Sequence, residues 1–194
     1  MKFIEPIELD MARKAYDDEK TEYAIDLYEI AAKKGSVKAM ESLVYEYKNN
    51  NINKAKFWID AISRLANDNN DRAQLAMSNF FLSGVFVFMN GKNGYDFLLK
   101  SAYNGNPEAQ YLLFDYHFSG IFALYGIDKS EEKACYWLLR AYKSRHPKAL
   151  YEMACYYRRK ANKINKVMWL LKKSAELGFR QAQDALDTVH LWIK

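Results

Sequence analysis

The sequence predicts an all-α fold, a stack of about five helix-turn-helix repeats built from roughly 10–11 helices. Three observations carry this. A phrase of the form Ala-x-x-Gly-x-x-x-Ala occurs as "AAKKGSVKA" (Ala31–Ala39), "SAYNGNPEA" (Ser101–Ala109) and "SAELGFRQA" (Ser174–Ala182). Its second alanine recurs at Ala39, Ala73, Ala109, Ala149 and Ala182, at spacings of 34, 36, 40 and 33 residues. The chain is also poor in turn-formers, with 3 Pro and 8 Gly in 194 residues, while half of it is hydrophobic and 15% aromatic. That composition supplies a core and excludes disorder.

Other positions keep the same register. Four residues past each alanine stand Leu43, Met77, Leu113, Met153 and Leu186, all apolar. Eight past it stand Tyr47, Phe81, His117, Tyr157 and His190, all rings. Positions zero, four and eight share one helical stripe, so each alanine opens a helix that buries a small residue, an aliphatic one and a ring.

From the N-terminus, "IELDMARKAYDDE" reads as the first helix of a divergent repeat, and residues 1–21 as an N-terminal cap. The repeats then occupy 22–181, and 182–194 form a C-terminal capping helix, all within a single domain spanning 1–194. A partner helix precedes each landmark alanine: "EYAIDLYEIAAKKG", "NKAKFWIDAISRLAN", "GYDFLLKSAYNG", "EEKACYWLLRAYKS" and "NKVMWLLKKSAELG". Trp58 and Trp137 each follow an alanine by three residues, and Leu27 and Phe97 fill the same place. "DAISRLAN" makes the second of these helices about one turn longer than the others.

Between the two helices of each joint, Gly35, Gly105 and Gly178 fall where a helix ends in the left-handed conformation. Asn69 and Arg145 occupy the same place in the other joints, the arginine at a steric cost. Pro107 and Pro147 suit the first turn of the helices they open. The connections Phe81–Gly94 and His117–Ser130 are longer and more apolar than ordinary loops. Val85, Phe86, Val87, Ile121, Phe122 and Leu124 are expected to tuck between adjacent repeats, the alternative being an exposed apolar ridge.

These features resemble the Sel-one-like repeat family, relatives of the tetratricopeptide repeats, over about residues 22–190. The best copy places Ala109, Leu113, Gly120, Asp128, Ala134 and Trp137 on the family's characteristic positions. The small residue usual five past the landmark is kept as Ser78 and Ala154 and lost at Val44, Phe114 and Asp187. The resemblance implies a right-handed α/α solenoid with a concave face that binds proteins and has no chemistry of its own.

By the same analogy, the first helix of each pair lines the concave face. Its outward positions give Lys38, Glu41, Tyr45 and Lys48; Arg72, Leu75, Asn79 and Leu82; Glu108, Tyr111, Asp115 and Phe118; and Lys148, Tyr151, Cys155 and Arg158. The candidate partner-binding residues among them are Tyr45, Lys48, Asn79, Glu108, Tyr111, Asp115, Phe118, Tyr151 and Arg158. Aromatic side chains and arginine mixed in this way mark the energetic centres of protein interfaces, whereas a solvated face carries lysine and glutamate.

No catalytic residue, cofactor or metal site is expected, because no phosphate loop, nucleophile elbow, H-E-x-x-H or C-x-x-C stands in the chain. His117 and His190 sit on the ring position of the stripe and read as packed imidazoles. His146 lies in the turn "SRHPKA", reads as exposed, and has no carboxylate near it in sequence. Asp115 and His117, two apart, point to different faces. Cys135 and Cys155 are too few for a disulfide framework and read as buried free thiols, with a redox pair between neighbouring helices as the alternative.

The formal charge of +5 conceals an asymmetry. Residues 1–29 hold four basic and nine acidic side chains, whereas 140–173 hold eleven basic ones against Glu152 alone. The N-terminal segment mixes acids into its apolar residues, unlike a secretory signal, and no run approaches the ~18 apolar residues of a membrane span. A cytoplasmic protein with no membrane partner is expected. Usage rich in Asn, Lys, Ile and Tyr points to an AT-rich bacterial genome.

The leading functional expectation is recognition of one partner protein, as an immunity protein that neutralises a cognate toxin domain. The alternatives are an adaptor or scaffold in a signalling or stress pathway, a secreted effector, and nucleic-acid binding through the basic segment 140–173, where "CYYRRKANKINK" interleaves tyrosines with cations.

Overall fold

The structure is a computed structural model that describes residues 5–85, 89–121, 123–160 and 163–188, the side chains of Leu124 and Lys160 aside. Among the described residues it is helical and contains no strand. The helices are α1 (Ile7–Asp17), α2 (Thr21–Lys33), α3 (Val37–Tyr47), α4 (Ile52–Asn67), α5 (Asp71–Ser83), α6 (Gly91–Tyr103), α7 (Pro107–Ser119), α8 (Glu131–Lys143), α9 (Pro147–Lys160), α10 (Ile164–Glu176) and α11 (Arg180–Asp187). The chain forms two compact units, Met1–Asn104 and Gly105–Lys194.

In each unit consecutive helices pack as hairpins, α1 through α6 in the first and α7 through α11 in the second. In the first unit α3 also packs on α5, so the opening helices of successive pairs lie side by side. The landmark alanines begin α3, α5, α7, α9 and α11, and all five are fully buried. Leu43, Met77, Leu113 and Met153 are buried one turn on, and His117 is enclosed with its Nδ1 3.1 Å from the carbonyl of Asp128. His190 lies outside the described residues.

The joints share one hydrogen-bonded closure. The residue three before the landmark donates its N–H to the carbonyl five residues back: Ser36 to Ala31, Asn70 to Leu65, His146 to Ala141 and Phe179 to Ser174. The residue before it is left-handed each time, as Gly35, Asn69, Arg145 and Gly178, and Gly105 is left-handed too. This is the Schellman closure, which satisfies the last carbonyls of the outgoing helix. Glu19, at φ 62°, makes the same turn between α1 and α2, so the N-terminal helix is tied on by the joint used elsewhere. The side chains of Ser36, Asn70 and Asn106 then cap the next helix by accepting from the N–H of the landmark alanine. Each such cap is worth about 1 kcal/mol.

Two further polar contacts repeat from pair to pair. Ser101 Oγ donates to the Asp71 carbonyl at 2.6 Å, and Ser174 Oγ donates to the Pro147 carbonyl at 2.7 Å. The buried Gln74 accepts from Asn104 Nδ2 at 2.8 Å, as the buried Gln110 accepts from Ser144 Oγ at 2.9 Å. Serines in the phrases "SAYNGNPEA" and "SAELGFRQA" therefore tie the second helix of a pair to the start of its first.

Several expectations are corrected. The connection expected over Phe81–Gly94 is shorter, because Asn90 caps α6 and the helix starts at Gly91. Gly94 then takes the place of Ala24, Ala55 and Ala134 in the other second helices, where α5 and α6 approach closely. A Cβ there would lie 2.7 Å from Leu82, and Ser78 Oγ donates to the Gly94 carbonyl at 2.7 Å. Of the apolar linker residues, Val85 packs on the core of the first unit while Ile121 is 69% exposed. Phe86, Val87 and Phe122 and the side chain of Leu124 fall outside the described residues. Both thiols are free, but Cys135 is exposed and Cys155 half-buried, since each lies off the buried stripe of its helix. As the sequence predicts, α4 is three residues longer than α2, α6, α8 and α10.

Candidate protein-binding faces

In the first unit the outward stripe of α3 and α5 brings together Glu41, Tyr45, Lys48 and Asn79. The Lys48 ammonium lies 5.6 Å from the centre of the Tyr45 ring, which also sits 6.2 Å from Phe80. Glu41 is half-buried and hydrogen-bonded to Asn79. Burial pushes its carboxyl up to about 7, against the opposing pull of Asn79 and Lys38. Arg72 is used internally, ion-paired to Glu5.

In the second unit the stripe of α7 and α9 organises around His146. The sequence reading of this residue as exposed is overturned: His146 is 4% exposed, and its Nε2 lies 2.8 Å from Glu108 Oε2. Its ring stacks on Tyr111 with centroids 4.7 Å apart and planes 18° apart. The physical reason is that the α8–α9 joint carries His146 back to α7, where it meets a carboxylate 38 residues distant in sequence. The Nδ1 atom is buried without a hydrogen-bond partner among the described residues.

Tyr111 is also covered by the Lys148 ammonium at 5.6 Å, and its phenol is pushed up to about 12 by burial first and then by Glu152, Asp115 and Glu108. Tyr151 meets Phe179 edge-on at 5.3 Å and shares a hydrogen bond with Cys155, whose thiol burial pushes up. Asp115 and Arg158 are exposed, and Phe118 is 60% exposed beside Phe114. Asp115 thus faces out while His117 faces in, as their spacing requires.

A cleft of about 470 Å³ opens on this face, lined by Tyr111, Lys148, Glu152, Phe179, Arg180 and Gln181. Phe179, Arg180 and Gln181 escaped the sequence reading. The available signal was that Phe179 holds the place of a cap occupied by Ser36, Asn70 and Asn106 in other joints. An apolar side chain there cannot accept from the helix N-terminus and does something else.

The basic segment is partly used internally. Arg140 lies over the rings of Tyr136 and Trp137, Lys166 sits 3.8 Å from the centre of Tyr157, and Lys173 pairs with Glu176 at 2.6 Å. Among the described residues no group of three His, Cys, Asp or Glu is arranged to hold a metal ion. No described helix is long and apolar enough to cross a membrane.

Neither a protein-family model nor a curated protein sequence matches the chain. Solved structures do. A Sel1 repeat protein from Oxalobacter formigenes has a TM-score of 0.58 at 25% identity, over 66% of this chain and 95% of its own. A protective antigen of uropathogenic Escherichia coli with an SLR fold gives 0.57 at 21% identity, over 95% of this chain and 41% of its own. An immunity protein from Pseudomonas aeruginosa gives 0.54 at 22% identity, over 93% of this chain and 73% of its own.

Proposed function

Because the chain has the fold of the Sel1-like repeat proteins, we propose that it works by binding a partner protein through the outward stripes of its first helices, without chemistry of its own. The observation that carries this reading is the stripe of α7 and α9. It presents Tyr111, Phe118, Tyr151, Lys148 and Arg158 on one face, a mixture that interface centres favour and solvated faces avoid. The partner in this reading is a cognate toxin domain that the protein occupies and holds inactive, in the cytoplasm of a bacterium. The likeness in fold to a solved immunity protein supports the choice.

Co-expression tests it. The protein is produced in bacteria together with a candidate toxin domain, and growth and co-purification are followed. Growth restored with a stable complex supports the reading. Failure to protect or to co-purify removes the immunity role, and binding to another protein would return the chain to the adaptor class. Retention that disappears on nuclease treatment would favour nucleic acid instead.

A further inference from the structure

The cleft of the second unit also carries information about what it receives. Its walls are aromatic, Tyr111 on α7 and Phe179 at the α10–α11 joint, with Tyr151 bracing Phe179 from α9. Its cations are Lys148, at the start of α9, and Arg180, at the start of α11. Both are exposed. Lys148 rests over the Tyr111 ring and Arg180 has no ion pair, so neither is neutralised by a carboxylate among the described residues. The one acidic lining residue is Glu152, half-buried, whose carboxyl is pushed up by burial and by Asp115 against the pull of Arg159. The cleft therefore presents two cations without an ion pair among the described residues beside apolar ring surface, while the carboxylates of Glu152, Asp115 and Glu108 act on the Tyr111 wall.

We propose that this cleft receives an acidic segment of the partner protein, a carboxylate lodging between Lys148 and Arg180 while an adjacent apolar side chain packs on Tyr111 and Phe179. The proposal rests on the protein-binding reading above and names the chemistry of the partner at this site. A volume of about 470 Å³ takes a few side chains and not a whole helix, so the contact is an anchor within a larger interface. Lysine and arginine are suited to it in different ways. Lys148 is a point charge steadied by a ring, and Arg180 offers a fork that a carboxylate can take with both oxygens.

Labelled ten-residue peptides carrying three Asp or Glu around one Phe or Leu provide the probe. Matched peptides replace the acids by Ser or by Lys. Binding is followed by fluorescence anisotropy and by amide shifts in isotope-labelled protein. The acidic peptide is expected to bind, to perturb the amides of Lys148, Arg180 and Gln181, and to weaken as salt rises. The K148E/R180E variant should lose at least about tenfold in affinity for it and gain affinity for the lysine peptide. Both residues are exposed, so the double variant is expected to keep its fold, and circular dichroism verifies this.

Equal binding of acidic and serine peptides, no binding of the acidic peptide, perturbation confined to other residues, or an unaltered preference in K148E/R180E would each overturn the assignment. So would preferential occupation of the cleft by a single-stranded oligonucleotide. None of these results touches co-purification of a partner, so the cleft can fail while the binding role stands.

Discussion

The imidazole of His146 lies flat against the phenol ring of Tyr111 and hydrogen-bonds Glu108, at the position where Ser36, Asn70 and Asn106 cap the other helices. One residue has exchanged a local cap for a contact between successive pairs. H146A removes the stacking and the hydrogen bond and is expected to cost about 2 kcal/mol. H146N supplies the side chain that caps α5 and α7 and should recover about 1 kcal/mol of that. Urea unfolding of the three proteins measures both, and equal stability of H146A and wild type would show the contact to be idle.

Arg145 and Gly178 hold the same place in successive joints, at φ 58° and 85°. Only the glycine takes that conformation freely. R145G is expected to stabilise the protein by about 0.5–1 kcal/mol, the relief of the left-handed strain less the added freedom of the unfolded chain. G178A should destabilise by about 1 kcal/mol for backbone reasons alone, since nothing lies within 4 Å of the added methyl. Opposite shifts in thermal midpoint are the signature, and shifts of one sign would refute it.

Gly94 is a different case, because its conformation is ordinary and its space is not. A methyl there meets Leu82 at 2.7 Å and the Ser78 carbonyl at 3.3 Å. G94A is expected to cost about 2 kcal/mol through forced separation of α5 and α6. The L82A/G94A protein should lose less than the two single losses added together, and strict additivity in a double-mutant cycle would mean that the two groups do not meet.

Glu41 makes stability depend on pH. Its folded carboxyl is raised to about 7 from 4.5 in the unfolded chain, so the folded state holds the proton more tightly. Its contribution is therefore most favourable below about pH 4.5 and is lost as pH rises through 7. The shift corresponds to about 3–4 kcal/mol at 1.4 per unit, and solvent screening at a half-buried site leaves ~1–2 kcal/mol. E41Q should gain this much at pH 8 and little at pH 4, as read from thermal unfolding at the two values. A gain independent of pH would place the origin elsewhere.

What the sequence revealed follows from range. Landmark alanines, left-handed joints and the aliphatic and ring positions depend on residues within one or two turns, so the register disclosed them. Burial of His146 depends on Glu108 and Tyr111, both in the preceding pair, and a single joint read alone gives no sign of it. Gly94 looked like loop material because glycine also marks turns; its alignment with Ala24, Ala55 and Ala134 was the missed clue. Phe179 and Arg180 join the cleft only once α11 folds back on α10. The exposure of Cys135 turns on one residue of helical phase, since its neighbour Ala134 is buried.

The central claim is that a protein partner binds on the outward stripes of the first helices. The direct measurement is titration calorimetry of the co-purified partner domain against two sets of variants. One set alters exposed stripe positions, Y45A and the pair F118A/R158E. The other alters exposed aromatics on second helices, Y23A, F57A and W169A. The expected result is at least tenfold weaker binding for the stripe variants and unchanged affinity for the others. Undiminished binding by the stripe variants with loss in the second set would place the interface on the opposite helices and contradict the claim.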